Sequence, residues 1–172
     1  MKNLLLERSS SSQKLTKYDP LKYCKNINDI LTICNILISG LHAPGNGIWN
    51  TDETKILYIS MIYAWIKEKN FADALDLIKS SESLSTETII LNFNTYVKMI
   101  KTSEPAVPNS YLLLSKNKDD AEKAFTAINK NLQPFMDREV KNSLSADEFN
   151  LESVDDKKNC YFCISGNEWL RP

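Results

Sequence analysis

Cys160 and Cys163 form a CxxC, the spacing of redox dithiols and of half a zinc site. A redox pair works best at a helix N-terminus inside a βαβ unit, where the thiolate is stabilised. This pair lies instead in an aromatic, strand-like run, Cys160-Tyr-Phe-Cys-Ile164. Zinc needs two more ligands, and Cys24, Cys34 and His42 are the candidates. Cys24 and Cys34 fall on an apolar stripe with Leu21, Ile27, Leu31 and Ile38, where a thiol serves as a small core side chain. His42, the sole histidine, is followed by Ala43-Pro44-Gly45 with no nucleophile motif beside it. Gly45-Asn-Gly47 lacks the strand context and third glycine of a dinucleotide site, and there is no Walker loop. The carboxylate pairs Asp52/Glu53 and Asp119/Asp120 both sit in expected first turns of helices, where the positive dipole end accounts for them. The expectation is no catalytic residue, no metal and no cofactor, with a thiol or zinc-dependent activity at the CxxC kept as the remote alternative.

The elements that would position any site are helical. In residues 56–66, ILYISMIYAWI, only Ser60 is strongly polar, and a helix apolar on nearly every side must be buried on nearly every side. Asn50 with Glu53 three residues on has the form of a capping box. Lys67, Glu68 and Lys69 break the run, and Asn70 can cap a second helix. There Phe71, Ala74, Leu75 and Ile78 fall at i, i+3, i+4 and i+7, with Asp73 and Asp76 off the stripe. The two helices read as an αα-hairpin, with Trp65 expected at the centre of the core. Tyr58, Met61, Trp65, Phe71, Ala74 and Ile78 resemble the spacing of a tetratricopeptide-type hairpin over residues 58–81, about one unit. Ile62 departs from that pattern where a small residue is wanted, and no second copy recurs at a fixed period. The reading is therefore a generic helical hairpin, and no family is claimed.

Around the hairpin, Asp19-Pro20 has the form of a helix start. The stripe beyond it suits either one helix over residues 20–39 or a short turn followed by a helix from Asn28. Residues 41–49 are a turn-rich connector, with Ile48 and Trp49 expected on the core. Ile89, Ile90, Phe93, Tyr96, Val97 and Ile100 have helical spacing, and length favours a helix there over a strand. Residues 111–114 suggest a short buried strand or turn. Asn117 caps a helix with the stripe Ala121, Ala124, Phe125, Ile128 and Leu132; Pro134 ends it, and Met136, Val140 and Leu144 mark a short last helix. The fold expected is mainly α: a compact bundle of five or six helices around the central αα-hairpin, with a short C-terminal β-like element. Its organisation is a flexible basic arm (1–18), a helical core (19–144), and an acidic linker with an apolar C-terminal segment (145–172).

The chain of 172 residues carries a net charge of only −1, so no global field advertises nucleic acid or an anionic membrane. Charge is instead polarised: residues 1–25 carry a net +4 and residues 137–156 a net −5, so a basic arm and an acidic region can attract within or between chains. Ser9 to Ser12 among lysines could accept phosphate, which would reverse the arm's charge. Tyr18-Asp-Pro-Leu21 has the YxxΦ form read by sorting and budding adaptors. No apolar run approaches the ~20 residues of a membrane span. Four cysteines without a secretory signal point to reduced thiols in an intracellular, cytoplasmic setting. The function expected is non-enzymatic protein–protein interaction in an adaptor, regulatory or assembly role, with the partner unidentified. The contact residues would be Tyr161, Phe162, Ile164 and Trp169 in the C-terminal apolar segment, and Lys14 and Lys17 in the arm. The alternative is a self-assembling structural or nucleic-acid-associated protein, of viral type, using that arm, although no predicted helix carries a basic stripe.

Overall fold

The computed structural model describes residues 17–40, 51–114, 117–146 and 148. Six α-helices occur among them, and no strand: α1 (Ile27–Gly40), α2 (Thr51–Ile66), α3 (Phe71–Lys79), α4 (Thr86–Ser103), α5 (Lys118–Asn131) and α6 (Arg138–Ser143). The mainly helical bundle expected from the sequence is what forms. The C-terminal β-like element lies outside the described residues, as do the Asn50 cap and the connector with Ile48 and Trp49.

Everything is arranged around α2, which packs against α1, α3, α4 and α5. Ile56, Leu57, Ile59, Met61, Ile62 and Ala64 are all fully buried, as a helix without a polar face requires. Glu53, buried at its first turn, accepts a hydrogen bond from Asn131 Nδ2 on α5 at 3.1 Å. The helix ends in a Schellman turn, with Lys69 N–H donating to Ala64 O (2.9 Å) and Glu68 N–H to Trp65 O (3.0 Å). Glu68 occupies the left-handed position that glycine usually takes, at φ 53°. Trp65 is not at the centre of the core. It belongs to the last turn of α2, at the edge of the core, and it is only partly buried. Its indole N–H, which needs an acceptor, finds Cys24 O at 3.1 Å along the rim.

The return helix α3 buries the expected stripe of Phe71, Ala74, Leu75 and Ile78. Asp73, off that stripe, is not idle: it completes a capping box in which Asn70 Oδ1 accepts from Asp73 N–H (2.9 Å) and Asp73 Oδ2 from Asn70 N–H (3.0 Å). A buried amide, Asn129 Nδ2, ties α5 to the end of α3 by donating to Ile78 O, Ser81 Oγ and its own Phe125 O. Phe93 of α4 meets Phe125 of α5 edge-on at 4.8 Å, and Lys118 pairs with Glu87 across the same helices. The segment before α1 resolves into a single 3₁₀ turn (Pro20–Tyr23) and then the helix from Ile27, the second of the two expected arrangements. Residues 111–114 make a turn and not a strand, with Leu112 buried and Leu113 58% exposed.

Candidate functional site

Chemistry first. Two recesses are lined by described residues, and neither gathers a catalytic set. One, of about 280 Å³, is bordered by Asp19, Leu21, Lys22, Trp65, Glu68 and Lys69. Its buried carboxylate is committed to structure, since Asp19 Oδ1 accepts from Leu21 N–H (3.1 Å) and from Phe71 N–H (3.0 Å), the first amide of α3. The other, of about 460 Å³, runs along the outer side of α5 past Asp119, Glu122, Lys123 and Lys130. Asp119 and Asp120 stand in the first turn of that helix beside the Asn117 cap, and Asp52 pairs with Lys55 at 3.4 Å. The carboxylate pairs are thus helix-end features. Burial pushes the Cys24 thiol up to about 11, with Asp29 and Asp19 adding to it, and pushes the fully enclosed Cys34 thiol higher still. Both remain protonated at neutral pH and are poor nucleophiles. Among the described residues no group of three or more His, Cys, Asp or Glu is placed to hold a metal ion.

Of the contact residues expected from the sequence, only Lys17 is described. Its Nζ pairs with Glu148 at 3.0 Å and its carbonyl accepts from Glu148 N–H at 2.9 Å. Tyr18 N–H donates to Ser143 O at 2.7 Å, so this stretch is hydrogen-bonded to the end of α6 as well as to Glu148 beyond it. Lys14, Tyr161, Phe162, Ile164 and Trp169 lie outside the described residues, as do His42, Cys160 and Cys163. The YxxΦ form is not presented for reading: Leu21 is 2% exposed and Asp19 is buried as the remote cap of α3.

A surface that the sequence reading passed over is the outer side of α1. Ile30 and Cys34 are its buried positions, and Ile27, Leu31, Ile33, Leu37 and Ile38 are only partly covered. Ile36 is 63% exposed, and Ile33 and Leu37 beside it on the helix surface pack partly against the core, so the three make one seam that is open at Ile36. The rest of the outward side is Asn28, Thr32, Asn35 and Ser39. Asp29, the one charged residue of α1, is spent on its N-terminus, where Oδ2 accepts from Lys25 N–H at 2.7 Å and Asn26 N–H at 3.3 Å. Asn35 Oδ1 accepts from Tyr58 OH at 2.8 Å, and Tyr58 meets Tyr111 edge-on at 5.5 Å, which fixes the helix against α2. Burial, followed by Cys34 and Tyr111, raises the Tyr58 hydroxyl above its ordinary range and keeps it a donor. Leu91 on α4 is equally exposed at 66%, yet it stands alone among Glu87, Thr88, Asn94, Thr95 and Lys98, an ordinary solvated side.

A surface helix without charge is the signal that was present in the sequence. Interface centres are depleted of charged residues, because each would have to be desolvated. Comparison of the chain with family models, with curated proteins and with solved structures finds no match in any of the three. Among the described residues no helix is long and apolar enough to cross a membrane.

Proposed function

We propose that this protein is non-enzymatic and acts by protein–protein contact, in an adaptor, regulatory or assembly role, with the outer side of α1 as its contact surface. The observation that carries the reading is that side's composition: a seam of Ile33, Ile36 and Leu37 beside Asn and Thr, with no charge beyond the capping Asp29. An uncharged seam of this kind suits the apolar side of a partner helix or an uncharged extended segment. Cys24, just before the helix, and Cys34, buried on its inner side, are free thiols and fit a reducing intracellular compartment.

A photo-crosslinking residue at position 36, with position 94 on the exposed side of α4 as control, tests this in the cells that make the protein. A discrete adduct with another protein is expected from 36 and none from 94. That protein, once purified, should bind the chain at least about tenfold more weakly after Ile36→Asp, as for a central interface residue. Equal adducts from both positions, or no loss of affinity on Ile36→Asp, would remove α1 as the contact surface.

A further inference from the structure

In the free protein, we infer, the outer side of α1 is covered by the chain's own uncharged aromatic segment, residues 159–167, so that a partner must displace it. This rests on the reading of α1 as a docking surface.

The surface and the segment match in what both lack. One residue in four of this chain is charged, yet residues 159–167, Asn-Cys-Tyr-Phe-Cys-Ile-Ser-Gly-Asn, carry no charge at all. Neither does α1 beyond its capping Asp29. Contact between them would desolvate no ion, and would cover Ile36 with Tyr161, Phe162 or Ile164. Both also offer amide and hydroxyl groups that can exchange hydrogen bonds: Asn28, Asn35 and Ser39 on the helix, Asn159, Ser165 and Asn167 on the segment.

The point of departure favours the same pairing. Glu148 is fixed to Lys17 through a backbone hydrogen bond and an ion pair. Lys17 leads directly through Tyr18, stacked on Tyr23 at 5.7 Å, into the start of α1. From Glu148 to Cys160 is about 12 residues, a chain length that spans at most about 40 Å extended and has an unconstrained reach of about 20 Å. The 14 residues of α1 measure about 21 Å, about half of that extended span. A tether of that length holds its end near millimolar local concentration, enough to populate a contact of modest intrinsic affinity while leaving it open to displacement.

Disulfide trapping in the full chain tests the inference, because the segment supplies its own thiols. Ile36→Cys is compared with Asn94→Cys, each with Cys163→Ser so that Cys160 cannot close on its neighbour. Cys24 and Cys34 do not compete, since burial keeps their thiols protonated. Under mild oxidation in dilute solution, a bond between positions 36 and 160 within one chain is expected, mapped by mass spectrometry of the monomer. It should form at least about tenfold faster than from position 94, because a disulfide requires the two Cβ atoms within about 4 Å. Equal rates from the two positions would mean a segment that visits α1 no more than elsewhere, and would overturn the inference. A bond from 36 that joins two chains would overturn it in favour of a second copy on α1, leaving the docking surface itself standing. No bond from 36, in a protein that still gives its photo-adduct there, would end the role of the segment alone.

Discussion

Among the described helices α1 and α2 are the two most apolar, and they are treated in opposite ways. Around α2 four helices close, and every residue from Ile56 to Ile62 is buried. α1 leans on α2 along one side, hides Ile30 and Cys34, and leaves Ile36 in the open. A helix apolar all round is expected to be enclosed all round. Where the fold itself does not supply the enclosure, the remaining apolar seam is best understood as the place where something else does. The difference teaches that composition sets how much cover a helix needs, and that only packing shows how much it receives.

Three substitutions would break or sharpen that contrast. Ile62→Ala, in the enclosed helix, should have the largest effect, about 2–5 kcal/mol in urea melts, from lost transfer energy and the cavity left behind. A cost near zero would mean that α2 is not the centre of the molecule. Asp19→Ala should come next, about 1–3 kcal/mol, since it strips the buried acceptor from the amides of Leu21 and Phe71. Melts that kept the wild-type midpoint would show that the Asn70 and Asp73 box caps α3 sufficiently by itself. Ile36→Ala should be the smallest, within about 0.5 kcal/mol of wild type, because the described core leaves Ile36 63% exposed and a displaceable cover adds little to folding. A loss comparable to Ile62→Ala would show instead that the seam is covered tightly in the folded chain, which would turn the contrast between the two helices into one of timing.

Much of the fold was legible because helical periodicity reports burial directly. Phe71, Ala74, Leu75 and Ile78 were read as one stripe and are one stripe, and the run around Ile59 was read as enclosed and is enclosed. Trp65 was placed too deep because an apolar run does not reveal which of its turns surfaces. Periodicity places Asp73 off the buried side, which is right, but says nothing of the capping box that its carboxylate closes with Asn70. The cap supplied by Asp19 was beyond reach: 52 positions separate it from Phe71, and nothing local marks such a pairing. The outer side of α1 was legible but unread, since attention to where apolar residues recur passes over where charges fail to. The aromatic residues expected to make contacts, Tyr161, Phe162 and Trp169, lie outside the described residues.

The junction of Lys17 and Tyr18 with Ser143 and Glu148 has a consequence of a topological kind. The described core is almost a closed loop, entered and left through one port. Whatever precedes Lys17 and whatever follows Glu148 issue side by side, so a domain fused to either end would stand on the same flank. The core could be inserted whole into a loop of another protein without stretching it. It could also be rewired, with the two ends joined and new ones opened at exposed positions such as Pro105 and Ala106 after α4, because neighbouring termini make circular permutation tolerable.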